Sequence, residues 1–454
     1  MNRTEHARHL RYPVTLLATG VITTLATVSM ADEQALYTIG ISPSATRIQT
    51  DIETLVNFGT RHTLSETDSD TRGIGAARRW VHAEFERISQ SCGGCLEVIY
   101  VGDTVSGTSR IPDPVEVVNV IAIQRGTRDG NRFVMMSGDI DNRVSDPMNF
   151  TSDSPGANDN ASGLAGVLET ARVLSQYQFP GSIIYAGLSG EEQGLNGGAI
   201  FAQYALDQGW HMQAVINNDM IGNIRGINGV VNNSTARVFS EGTRYVETQD
   251  EATQRRFQGG ELDSASRNLA RYIDTMADLY VPNLDVMMVY RLDRFGRGGH
   301  HRPFNEVGLP AVRIMETNEN YHWQHQDVRV ENGIAYGDVI EHVDFDYAAK
   351  LTALNAVTLA SMAWAPAPPI EVSIRGQVSP DTTLSWKKVP GATAYRVHWR
   401  LTTDAQWTHS RTVGDVESFT LENVVIDNYF FGVSSVSADG LQSPVVFPGP
   451  AGAF

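Results

Sequence analysis

The chain has 454 residues, more than one small core accommodates, so two folded domains are expected. Hydrophobic residues make up 41% and charged residues 19%, the balance of an ordinary globular protein. With 35 Lys and Arg against 52 Asp and Glu the formal charge is -17, which excludes a nucleic-acid partner, because phosphate binding needs a positive surface.

Arg3, Arg8 and Arg11 precede a mostly apolar or small stretch over residues 14–28, and Ser29-Met30-Ala31 offers small residues before a cleavage point. Residues 1–31 therefore read as a signal peptide cut after Ala31, which sends the chain to the periplasm or outside the cell. A retained membrane anchor is the competing reading, but the stretch falls short of the ~20 residues a span needs. No stable membrane insertion is expected after cleavage. Export implies an oxidising compartment, where the two cysteines, Cys92 and Cys95, are expected to close a small disulfide.

Residues 32–44 read as a mature N-terminal tail. Helices are predicted over 45–58 and 70–88; the second carries Ile74, Ala77, Val81, Phe85 and Ile88 at helical spacing, with Asp70 as its cap. Strands are then predicted at 115–124, 132–136, 182–186, 212–217 and 310–315. Helical patterns separate them at 162–177, 196–208, 262–279 and 344–363, with a polar, Gly-rich passage over 222–260. This alternation predicts an α/β domain over residues 45–363, a mostly parallel mixed sheet flanked by helices. Ala365-Pro366-Ala367-Pro368-Pro369 reads as a stiff linker over 364–369. Residues 370–454 contain no good helix. Thr383-Leu384-Ser385-Trp386, Ala394-Tyr395-Arg396-Val397-His398-Trp399 and Tyr429-Phe430-Phe431-Gly432-Val433 alternate like the strands of an all-β sandwich, and this region resembles a fibronectin type III module.

Five short segments carry the chemistry: Ser137-Gly138-Asp139-Ile140-Asp141, Gly156-Ala157-Asn158-Asp159-Asn160, Gly190-Glu191-Glu192, Asn217-Asn218-Asp219 and Tyr321-His322-Trp323-Gln324-His325. Each follows a predicted strand or opens a helix. Ligands of an open α/β sheet gather at the carboxyl ends of its strands, so segments far apart in sequence can converge. Hydrolysis near neutral pH needs an activated water, which divalent metals supply, and a free carboxylate to move its proton. Adjacent Glu191 and Glu192 can divide those tasks, one as base and one as ligand. Alone, each carboxylate would more often be a solvated surface group or a helix cap.

The segments resemble the exported zinc exopeptidases of the bacterial leucyl aminopeptidase and glutamate carboxypeptidase type. That family reads His-x-Asp, Gly-Ala-x-Asp-x-x-Ser-Gly, Glu-Glu-x-Gly, an Asp after a strand, and a late His. The resemblance implies two divalent metal ions, most simply zinc, and peptide substrates. Asp159 would bridge both metals and Asp219 would complete the first. Glu192 and His325 would hold the second, with His322 as the alternative. Glu191 would be the general base, and Asp141 a carboxylate of the sort that orients a metal-binding residue. The chain departs from the pattern at Asp139, where the family has its first metal-binding His, and at His300, where a landmark Asp is usual. A shell of Asp139, Asp159 and Asp219 is all oxygen, so a harder ion such as manganese would suit the first site. A non-catalytic binding protein, a carboxypeptidase and a glutaminyl cyclase of the same fold remain alternatives to an aminopeptidase.

Overall fold

The computed structural model describes residues 30–454, so nearly all of the predicted signal segment lies outside the described residues. The first region runs through α1 (Met30–Gly40), α2 (Ala45–Val56), α3 (Gly73–Ser91), β1 (Leu96–Val105), β2 (Val115–Gln124), β3 (Asp129–Asp139), α4 (Ala161–Leu174) and β4 (Gly181–Leu188). It continues with α5 (Asn196–Asp207), β5 (His211–Asn218), β6 (Thr235–Ser240), α6 (Gln249–Gln258), α7 (Ala265–Tyr280) and β7 (Asp285–Val289). It closes with α8 (His301–Glu306), β8 (Ala311–Glu316), the small hairpin β9 (Arg329–Glu331) and β10 (Ile334–Tyr336), and α9 (Phe345–Trp364). No helix among the described residues is long and apolar enough to cross a membrane.

Eight strands form one mixed sheet in the order β1-β2-β4-β3-β5-β8-β6-β7. The central pairs β4–β3, β3–β5 and β5–β8 and the edge pair β6–β7 are parallel, whereas β1–β2, β2–β4 and β8–β6 are antiparallel. Every residue of β4 is buried, as expected for a strand covered on both faces. Alternate side chains of β4 go to opposite cores. Ile183 and Tyr185 pack with α2, α4 and α9, whereas Ile184, Ala186 and Leu188 pack with Phe201 of α5 and Phe304 of α8.

Two local expectations differ from the fold. Residues read as a tail form α1, whose Leu36 and Ile39 are buried in the same core as α9. Asp70 does not cap α3. The helix starts at Gly73 behind Arg72, which makes no side-chain cap, and exposed Asp70 pairs with Arg79 at 3.5 Å. Cys92 and Cys95 are bonded to each other at the end of α3.

The C-terminal region contains β11 (Ile370–Arg375), β12 (Thr382–Lys387), β13 (Ala394–Leu401), β14 (His409–Val413), β15 (Ser418–Leu421) and β16 (Tyr429–Val436). They make two antiparallel sheets, β11-β12-β15 and β14-β13-β16, around Leu384, Trp386, Tyr395, Val397, Phe431 and Val433. The Trp386 and Tyr395 rings lie 5.3 Å apart in that core. This region is docked on the first. Arg400 of β13 places Nη2 at 2.8 Å from both carboxylate oxygens of Asp263, which also accepts from Arg271 Nη1 at 3.0 Å. Arg400 and Asp263 are fully buried. The Pro-rich stretch is not an exposed spacer either: Pro366, Pro368 and Pro369 are buried, and the Ser435 hydroxyl donates to the Ala367 carbonyl at 2.6 Å.

Candidate metal centre

Asp139 is the last residue of β3, Glu191 and Glu192 follow β4, and Asp219 follows β5. Asp159 precedes Asn160, whose side chain caps α4 by accepting from Gly163 N at 3.1 Å, and His325 lies in the loop after β8. All five predicted segments therefore meet at the carboxyl ends of the central strands. Gly190 makes the turn out of β4 with φ +75°, a conformation that glycine adopts without strain, and this aims the Glu pair at the site.

Two buried carboxylates hold the site's backbone. Asp141 accepts from Glu191 N at 3.2 Å through Oδ1 and from Glu192 N at 3.1 Å through Oδ2, and the Thr63 hydroxyl donates to it at 3.0 Å. Burial pushes Asp141 up to about 6. Asp338 does the same for the second segment, accepting from Asn158 N at 2.8 Å and Asp159 N at 2.7 Å. Sequence reasoning missed Asp338, because no spacing motif links it to residues so far upstream. Buried Arg61 ties these loops together by donating to the carbonyls of Ile140 at 2.9 Å, Pro155 at 2.8 Å and Gly156 at 2.8 Å.

The metal-ligating atoms of Asp159, Glu192 and His325 lie within 4.8 Å of one another. His325 Nε2 is 2.8 Å from Asp159 Oδ2 and 3.0 Å from Glu192 Oε1. Burial disfavours a charged imidazole, but Glu192 and Asp159 overcome it and push His325 up to about 9. Burial would also raise Asp159, yet His325 holds it well below the usual carboxylate range. One nitrogen and two oxygen donors suit a zinc ion. Arg143 braces this set, with Nε 2.7 Å from Glu192 Oε2 and Nη2 2.7 Å from His325 Nδ1. A metal taken by Nε2 would leave Nδ1 to carry the ring proton, and the Arg143–Nδ1 contact would then have to open. His322 lies apart, packed edge-on against Tyr336 at 4.8 Å.

Glu191 stands beside this set with no protein hydrogen bond to its carboxylate among the described residues. Burial pushes it well above the normal range, and Glu192 and Asp219 add to the effect. Asp139 and Asp219 face other partners. Asp139 Oδ1 lies 2.5 Å from His300 Nδ1, and its Oδ2 accepts from Asn160 Nδ2 at 2.7 Å. Asp219 Oδ2 lies 2.9 Å from Arg313 Nη2. Burial raises Asp139 to about 8 and, against the pull of Arg313, Asp219 to about 7.

Residues 119–336 match the sequence profile of peptidase family M28. A protein of Leptosphaeria maculans named a probable zinc metalloprotease is 42% identical over 426 residues, covering 93% of this chain and 99% of its own. A probable zinc metalloprotease of Pyrenophora teres f. teres is 41% identical, covering 90% of this chain and 85% of its own. Among solved structures, the LapA aminopeptidase of Legionella pneumophila shares the fold with a TM-score of 0.52 at 18% identity, over 73% of this chain and 75% of that one. The match spans Asp159, Glu191, Glu192 and Asp219, and with relatives this close along nearly the whole length, the chain belongs to peptidase family M28.

Proposed function

We propose that this chain is an exported zinc-dependent exopeptidase, an aminopeptidase that releases N-terminal residues from peptides. The observation that carries the reading is the Glu191 carboxylate, free of hydrogen-bond partners among the described residues and beside the Asp159–Glu192–His325 set. Zinc held by that set would supply a Lewis acid for the scissile carbonyl. Glu191 would take the proton of the attacking water on a carboxylate oxygen and deliver it to the leaving amine nitrogen. Asp141 would keep Glu191 and Glu192 in register through their backbone N–H groups.

In this reading residues 45–363 are the catalytic domain and 370–454 a fibronectin type III-like module. The leader over 1–31 directs export. The test is metal content together with hydrolysis of aminoacyl chromogenic substrates, run on wild type and Glu191→Gln. Wild type is expected to hydrolyse them and Glu191→Gln to retain metal without turnover. Equal hydrolysis by both, or protein that takes up no metal, ends the reading. An N-acetylated substrate separates aminopeptidase from endopeptidase or carboxypeptidase action, since only an aminopeptidase requires the free amine. Cyclisation of N-terminal glutamine without peptide hydrolysis would point instead to a glutaminyl cyclase.

A further inference from the structure

The sequence leads to an expectation of two metals, the first held by Asp139, Asp159 and Asp219. The residues around that position do not fit a metal ion. The ligating atoms of these three carboxylates form no cluster within 4.8 Å among the described residues, unlike those of Asp159, Glu192 and His325. Both oxygens of Asp139 are engaged, one by His300 and one by Asn160. The Nε2 atom of fully buried His300 has no partner among the described residues, so the ring proton belongs on Nδ1, where it is donated to Asp139.

The decisive group is Arg313 of β8. It is fully buried, and its Nη2 lies against Asp219 Oδ2 at 2.9 Å. The guanidinium cannot swing aside. Nε and Nη2 donate to the Asp219 carbonyl at 2.9 and 2.6 Å, and Nη1 donates to Asp293 Oδ2 at 3.0 Å and to the Gly298 carbonyl at 2.8 Å. A dication bound by Asp219 would have to displace that contact and sit beside a fixed, desolvated positive charge, whose repulsion is strong at low dielectric. The exchange at 139 and 300 acts in the same direction. It keeps an imidazole–carboxylate pair but moves the imidazole from the strand end to the start of α8.

We propose that Arg313 stands in for the first metal ion, neutralising Asp219, so that the chain binds a single metal at Asp159, Glu192 and His325. The proposal rests on the reading of those three residues as a metal-binding set, and it does not depend on which substrate is cleaved.

The full-length protein, incubated with excess zinc chloride or manganese chloride and desalted, would be assayed for metal per chain by plasma mass spectrometry. One metal per chain is expected with either ion. Asp139→Asn should keep that value. His325→Ala, checked for folding by circular dichroism, should lose most of it. Two metals per wild-type chain, loss of metal in Asp139→Asn, or full retention in His325→Ala would each overturn the proposal. Aminopeptidase turnover is read on the same preparations. Turnover with two metals bound overturns the single-metal proposal and leaves the exopeptidase standing. A single His325-dependent metal without turnover does the reverse.

Discussion

At the scale of single residues, the proposed site divides into groups that would act on substrate and groups that hold those groups still. Glu191→Gln removes the proposed proton carrier and is expected to lower kcat by roughly 100- to 10,000-fold while metal content is unchanged. Asp141→Asn acts one step back. The asparagine keeps one acceptor but turns an NH2 toward one of the two N–H groups that Asp141 now satisfies. Turnover should fall by about 10- to 100-fold and metal affinity should weaken with it, measured by competition with a chelator. Turnover unchanged in Asp141→Asn would remove that positioning role. Glu191, Glu192, Asp159 and Asp219 were legible in the sequence because each follows a strand or opens a helix within a short motif. Asp338, Arg61, Arg143 and Arg313 were not. They act on backbone atoms or on side chains contributed by distant segments, so no local spacing marks them.

At the scale of elements, the central strands were legible and the edges were not. β3, β4, β5 and β8 are covered on both faces and read as apolar runs. β6 hides in the Gly-rich passage because it is short, and β1 and β7 are half exposed at or near the sheet margins. The helix α1 was missed because a propensity reading cannot show that Leu36 and Ile39 meet the core. Leu36→Ala should cost about 2–5 kcal/mol, read from denaturant unfolding. β13 offers a pH test. His398 is buried, with Nε2 2.9 Å from the Ser434 hydroxyl, and burial pushes it down to about 3. The unfolded chain therefore takes up its proton below about pH 6.5 while the folded chain does not, so this residue subtracts stability as pH falls from there toward 3. Relative to His398→Gln, wild type should lose on the order of 2 kcal/mol between pH 7 and pH 4.5, seen as a shrinking or inverted difference in Tm. A constant difference across that range would show that His398 does not titrate in this way.

At the scale of the whole molecule, the two regions are held by a buried charge cluster and by tyrosine hydrogen bonds. The Tyr272 hydroxyl donates to the Gln442 carbonyl at 3.0 Å, close to the Arg400–Asp263–Arg271 group. Removing one partner of a buried pair typically costs about 3–5 kcal/mol. Arg400→Met is therefore expected to lower Tm and to split a single calorimetric transition into two, as the regions uncouple. One undivided transition with wild-type Tm would mean that the pair does not couple them. The sequence marks the joint by its prolines but does not show that the joint is sealed. A Pro-rich stretch reads equally well as an exposed spacer, and only the packing of Pro366, Pro368 and Pro369 decides. The sealed joint bears on how such a chain can change over generations. The C-terminal sandwich is not a freely exchangeable cassette. A swap for another sandwich of the same fold would strand Asp263 and Arg271 without Arg400, and a lineage that discarded the sandwich would have to recast both residues on the face it left behind.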